Sequence, residues 1–174
     1  MFPKAHAAAY VMSAIRLGWY KVYHPVAFYA AYFTAAPDGF DGETVMGGRS
    51  KVLQLMDLIK EKGKEASATE KEQFTAMQIV NEAFARGIKF LPVDLYKSDA
   101  KAFLPENGKI RIPFACLAGL GESVALNIVK AREENPLSIE ELAEKAKLSK
   151  KIIELLRING ALGDLPEQNQ ISFF

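Results

Sequence analysis

Leu117-Ala118-Gly119-Leu120-Gly121-Glu122-Ser123-Val124-Ala125-Leu126-Asn127-Ile128-Val129 is the stretch on which the reading of this chain turns. Two glycines around one leucine let the backbone turn where a side chain would obstruct it. Successive amide N–H groups then point outward at the start of the next helix, where the helix dipole also favours an anion. Ala125 and Ile128, four and seven residues past Gly121, fall on the face of that helix that meets the core. The arrangement suits a phosphate, with Gly119, Leu120, Gly121 and Ser123 as the bend residues and Lys109, Arg111, Lys130 and Arg132 as flanking positive charge.

This is the pattern of a helix-hairpin-helix module. Such a bend reads the sugar-phosphate backbone rather than base edges, so the expected partner is duplex DNA, bound without sequence preference and with strong salt dependence. The competing reading is a glycine-rich helix start with no ligand, and Glu122 favours it, because a carboxylate stands where a phosphate would approach.

Around this module the residue pattern predicts a mainly α-helical fold with a small β element. Ala5 to Tyr23 reads as one helix, closed by His24-Pro25 because the residue before a proline is pushed out of helical geometry. Pro25 suits the first turn of a second helix, Val26 to Phe33. Both are apolar nearly all round, which predicts burial on most sides. Val45, Val52, Leu53, Leu55, Met56, Leu58 and Ile59 mark a third helix ending near Gly63. Thr69 with Glu72 predicts a capping box for a fourth, which Gly87 stops. Ile88 to Val93 and Lys109 to Ile112 read as strands, with Asn107-Gly108 as the turn before the second. Three helices follow, at Glu122 to Glu134, at Ser138 to Lys147 with a capping box of Ser138 and Glu141, and at Ser149 to Asn159 before Gly160. No internal repeat is visible. The resulting division is 1–87 helical, 88–163 sheet plus hairpin module, and 164–174 a flexible tail.

The chain has 174 residues, with 22 Lys plus Arg against 21 Asp plus Glu, so no global charge excess points to nucleic acid or membrane. One local asymmetry stands out: residues 1–37 hold Lys4, Arg16 and Lys21 and no acid. A single cysteine, Cys116, rules out an intramolecular disulfide, and with only His6 and His24 beside it a Cys/His zinc cluster cannot be assembled. A reducing, cytoplasmic setting is the expectation, with no membrane span. The sequence finishes Gln170-Ile171-Ser172-Phe173-Phe174, a peptide with three large apolar side chains. Burying each in a partner's groove contributes roughly 1.5 to 3 kcal/mol before ordering costs. The alternative is that the tail folds back on its own domain.

Taken together these residues resemble one family. Phe2-Pro3-Lys4-Ala5-His6-Ala7-Ala8-Ala9-Tyr10 is similar to the Phe-x-Lys-x-His-Ala-x-x-Tyr segment in the fingers of bacterial family C replicative DNA polymerases. The bend at Gly119 to Gly121 resembles the duplex-binding module that follows those fingers. Pro166 to Phe174 resembles the sliding-clamp peptide of the PolC branch, typical of low-GC Gram-positive bacteria, with Phe173 where leucine is usual. The resemblance implies a fingers end at 1–87, with Lys4, His6 and Tyr10 near the incoming dNTP. It implies clamp binding by Gln170, Ile171, Ser172, Phe173 and Phe174. For the full-length polymerase, a nucleotidyltransferase, it implies two Mg2+ ions on palm aspartates. No Asp-x-Asp on an apolar strand occurs in this chain, and Asp38 and Asp41 share a glycine-rich turn. The resemblance therefore makes the chain a C-terminal piece, inactive alone and binding no cofactor itself, with Met1 an internal methionine. Two alternatives stay open at this point: a non-enzymatic helix-hairpin-helix adaptor recruited to the clamp, and a fragment of the DnaE-type branch, where the clamp motif is internal.

Overall fold

The structure is a computed structural model that describes residues 3–168. Helix α1 runs Lys4–Tyr23 and stops at His24 because Pro25 follows; Pro25 then opens α2, Pro25–Ala35. The expected third helix is two. Asp41 caps a short α3, Gly42–Met46, by accepting from the Thr44 N–H at 3.1 Å and the Thr44 hydroxyl at 2.9 Å. Gly47-Gly48 then breaks the path, with Gly48 at φ +88°, before α4 resumes at Arg49–Lys62. The apolar periodicity was continuous enough to hide this break.

Helix α5, Ala68–Ala85, carries a capping box two residues earlier than expected. Ser67 Oγ accepts from the Glu70 N–H at 3.2 Å, and the Glu70 carboxylate accepts from the Ser67 N–H at 2.9 Å, which places Thr69 and Glu72 inside the helix. Lys62 also pairs with Glu70, and with the Ser67 bonds it pulls that carboxyl down to about 2. The helix ends where Gly87 turns at φ +79°.

Three short strands make a sheet of order β1-β3-β2: β1 Phe90–Leu91, β2 Leu104–Glu106 and β3 Lys109–Arg111. β1 lies parallel to β3, with Phe90 opposite Ile110, and β2 antiparallel to it, with Pro105 opposite Ile110. Asn107 and Gly108, at φ 50° and 77°, form the tight β2–β3 turn that the dipeptide predicts. Strand β2 escaped the sequence reading because it contains a proline, which an edge strand tolerates.

Helices α6 (Glu122–Glu133), α7 (Ile139–Ala146) and α8 (Lys150–Ile158) complete the fold. Ser138 caps α7 by accepting from the Glu141 N–H at 3.2 Å, while the Glu141 carboxylate returns to the Leu137 N–H at 2.8 Å, one residue short of a reciprocal box. The carbonyls of Pro166 and Glu167 accept from Ile139 and Glu140, so the segment after α8 lies across the start of α7.

One apolar core runs from α2 through the sheet to α6, α7 and α8, with Tyr29, Phe33, Ile110, Phe114, Ile128, Leu142 and Leu156 all solvent-free. Phe33 stands 5.5 Å from Phe103 and 5.8 Å from Phe90, so α2 is packed on the sheet. Helix α1 is the exception. None of its residues is buried, although burial was expected, and Tyr10 is 67% exposed with Ile15 and Val22 close behind. Its end is held by polar bonds: Lys21 Nζ sits 2.8 Å from Glu82, and Arg86 donates to the Lys21 carbonyl at 3.1 Å. Lys21 holds the Glu82 carboxyl below its ordinary range. Among the described residues, no helix is long and apolar enough to cross a membrane.

Candidate nucleic-acid interface

A 3-10 turn, Phe114–Cys116, delivers the chain to the glycine bend, where the Leu120 N–H donates to the Leu117 carbonyl at 3.0 Å. Gly119 sits at φ +91°, a conformation that favours glycine. Gly121 does not: it is the N-cap of α6 at φ −70°, ψ 154°, ordinary extended backbone, and a Cβ built on it meets nothing within 4 Å. The first glycine therefore makes the turn. The second has no internal steric reason to be glycine, and its bareness leaves room for something outside the protein.

The start of α6 has no side-chain cap, so its leading amides are available to an anion. Ser123 is exposed beside them. Leu120 is 4% exposed and drives its side chain into the core, anchoring the bend rather than facing a ligand. Ala125 and Ile128 are fully buried at the fourth and seventh places, as the spacing predicts. Glu122 is paired with Lys101, which offsets the carboxylate at the place where phosphate would approach.

The four flanking cations divide into two kinds. Lys109 and Lys130 are exposed. Arg111 is buried at 6% exposure, forms a two-pronged pair with Glu106 at 2.7 and 2.8 Å, and donates to the Pro92 carbonyl at 2.7 Å. Its guanidinium holds the Glu106 carboxyl below the usual range. Arg132 is half-buried and spends Nη1 on the carbonyls of Leu95 and Ser98. Both arginines are expected at DNA from the sequence; in the fold Arg111 is engaged by Glu106 and the Pro92 carbonyl, and Arg132 Nη1 by the carbonyls of the 94–98 turn.

A second bend places a left-handed residue at the corresponding position without a glycine. Lys147 closes α7 in the left-handed conformation at φ 55°, two residues before the α8 N-cap Ser149, as Gly119 stands two before Gly121. Ser149 has φ −76° and ψ 157°, close to the Gly121 values. Ile153 and Leu156 hold the fourth and seventh places after the cap, and Leu156 is solvent-free. Lys147, Lys150 and Lys151 are all exposed around this bend. The Gly-x-Gly signal does not mark these residues, and no repeat is visible between the two stretches. The usable signal was the capping Ser149 followed by apolar residues at the spacing seen after Gly121.

Lys4, His6 and Tyr10 are all exposed on α1: the His6 and Tyr10 rings, one turn apart, meet edge to face at 4.6 Å, while Lys4, two residues before His6, leaves the helix on another side. They are remote in sequence from both bends, and α1 packs mainly on α2. Cys116 sits behind the first bend, where burial pushes its thiol up to about 12. Gln170, Ile171, Ser172, Phe173 and Phe174 lie outside the described residues, as does Phe2. Among the described residues, no group of three or more His, Cys, Asp or Glu could hold a metal ion.

Two bends, each feeding a helix whose N-terminus faces outward, define a helix-hairpin-helix protein. The family model described as helix-hairpin-helix motif matches residues 87–171, which takes in the sheet, α6, α7 and α8. The whole chain matches further: it is 46% identical over 175 residues to DNA polymerase III PolC-type of Bacillus subtilis, 46% to that of Listeria monocytogenes and 47% over 176 residues to that of Thermotoga petrophila. Over its whole length the chain is similar to one part of these PolC-type DNA polymerase III proteins. Each match covers 100% of this chain and only 12 to 13% of the relative, so the chain spans a small part of the length of the curated relatives it matches.

Proposed function

We propose that this chain is the duplex-holding segment of a replicative, DNA-directed DNA polymerase. The observation that carries the reading is its end-to-end similarity to proteins named DNA polymerase III PolC-type. The two bends supply the chemistry. The first offers uncapped amides beside a bare Gly121, and the second offers Lys147, Lys150 and Lys151 around Ser149. Neither presents a planar side-chain fork to base edges, so the contacts go to phosphates and carry no sequence information. The exposed apolar surface of α1 favours a polymerase segment over an adaptor complete in itself, since a lone soluble module would leave Tyr10, Ile15 and Val22 in water at a solubility cost.

Within this reading α1 presents Lys4, His6 and Tyr10 toward the incoming dNTP, and Gln170 to Phe174 tether the enzyme to the sliding clamp. Lys109, Lys130 and Ser123 complete the duplex surface. The Mg2+ ions of the polymerase belong to parts of the enzyme outside this chain. The direct test is duplex binding followed by anisotropy on two unrelated sequences. Equal affinities that fall steeply and alike between 50 and 200 mM salt are expected. A strong preference for one duplex, or no binding at the lower salt, contradicts the reading. In the polymerase, Lys4→Ala raises the KM for dNTP, and an unchanged KM removes α1 from the nucleotide site. Deleting Gln170 to Phe174 abolishes capture on immobilised clamp, and retained capture refutes the tether.

A further inference from the structure

The turn at residues 94–98 is bound from three directions. Leu95 donates its N–H to the Ala161 carbonyl, just past α8, at 2.7 Å. Ser98, which is solvent-free, donates its hydroxyl to the Ile112 carbonyl at 2.8 Å and accepts from the Asp94 N–H at 3.0 Å. Arg132, in the last turn of α6, donates Nη1 to the Leu95 carbonyl at 3.0 Å and to the Ser98 carbonyl at 2.5 Å. The far ends of α6 and α8 are therefore fastened to one small turn, which Ile112, the residue after β3, also holds.

The two bends sit at the opposite, N-terminal ends of the same two helices. Arg132 lies about 16 Å along α6 from Gly121, at 1.5 Å per residue, too far to share a phosphate with the glycine bend. A two-point grip on one duplex gains from its second contact only while the spacing of the two points is held. We infer that Arg132 is a positioning residue: by joining α6 to the 94–98 turn that also holds the end of α8, it fixes the separation of the two bends and so the strength of the duplex grip, without itself touching DNA. This rests on the duplex reading above. It moves Arg132 from the phosphate surface to the frame behind it.

The experiment is a salt titration of duplex affinity for the unsubstituted chain, R132Q and S98A, with far-UV circular dichroism confirming that each is folded. A direct phosphate contact, when removed, lowers the slope of log K against log[salt] by about 0.9. R132Q is expected to weaken binding about ten-fold at each salt concentration with the slope unchanged, because both bends still reach phosphate but the second does so at a lower effective concentration. S98A loosens the same turn from a side chain that cannot reach DNA, and it gives the same pattern; it also decides the matter if R132Q does not fold. R132K, which can still donate to carbonyls, recovers most of the affinity. A slope lowered by about 0.9 in R132Q overturns the inference in favour of a direct contact. Unchanged affinity in folded R132Q or S98A overturns it in favour of a purely structural role. Absence of duplex binding by the unsubstituted chain defeats instead the duplex reading on which the inference stands.

Discussion

The bend at Leu117 to Gly121 and the bend at Lys147 to Ser149 each set a left-handed residue two places before an extended N-cap, with opposite chemistry. The first has glycine in its left-handed position, a bare N-cap and a carboxylate that Lys101 neutralises. The second has lysine in the left-handed position, a serine that accepts from the Ile152 N–H, and two more lysines in the first turn of its helix. One gives close backbone approach at little charge, and the other gives charge at the cost of a strained lysine. The difference teaches that the recognisable glycines are one solution to a geometric requirement that the backbone meets in two ways.

The largest effect expected from probing this pairing is on the shared support. Ile128→Ala and Leu156→Ala remove the side chain at the seventh place after each cap, both solvent-free, and each is expected to cost about 3 kcal/mol in denaturant unfolding. A cost at Leu156 far below that at Ile128 would break the equivalence of the two helices.

Exchanging the left-handed residues sharpens the comparison. Lys147→Gly should stabilise the chain by about 1 kcal/mol by relieving the αL backbone, while lowering the salt slope of duplex binding by about 0.9. Gly119→Lys should do the reverse, costing about 1 kcal/mol and steepening the slope. Thermal unfolding and anisotropy on the same samples read both signs.

The smallest stability effect falls on the caps. Gly121→Ala should cost under about 1 kcal/mol, because its φ is ordinary and a Cβ there meets no neighbour, yet duplex affinity should fall several-fold as the methyl occupies the approach of the phosphate. Ser149→Ala should cost about 1 kcal/mol through the lost cap and leave the salt slope as it was. Equal affinity losses from both would mean that neither bend depends on bare backbone.

The first bend, the helices of the hairpin module and the Asn107-Gly108 turn were legible in the sequence because glycine and asparagine at positive φ leave a compositional mark. The second bend was not, because Lys147 adopts the same conformation under tertiary constraint, which no propensity records. The internal partners of Arg111 and Arg132 were not legible for a related reason. The charge of these arginines is visible in the sequence, but the carbonyls of Pro92, Leu95 and Ser98 that engage them come together only in the fold. The break at Gly47-Gly48 and the earlier Ser67 cap show the ordinary limit of periodicity, which fixes that a helix exists better than where it starts. The proposal that Lys4, His6 and Tyr10 face the nucleotide rests on resemblance alone, and nothing in the exposed α1 geometry would have suggested it.

The central claim, that both bends hold one duplex by its phosphates, is tested most directly by the salt dependence of duplex affinity for Lys150→Gln/Lys151→Gln beside the unsubstituted chain. If both lysines meet phosphates, the slope of log K against log[salt] becomes shallower by about 1.8. A slope unchanged by the double substitution would contradict the account and leave the glycine bend as a solitary contact.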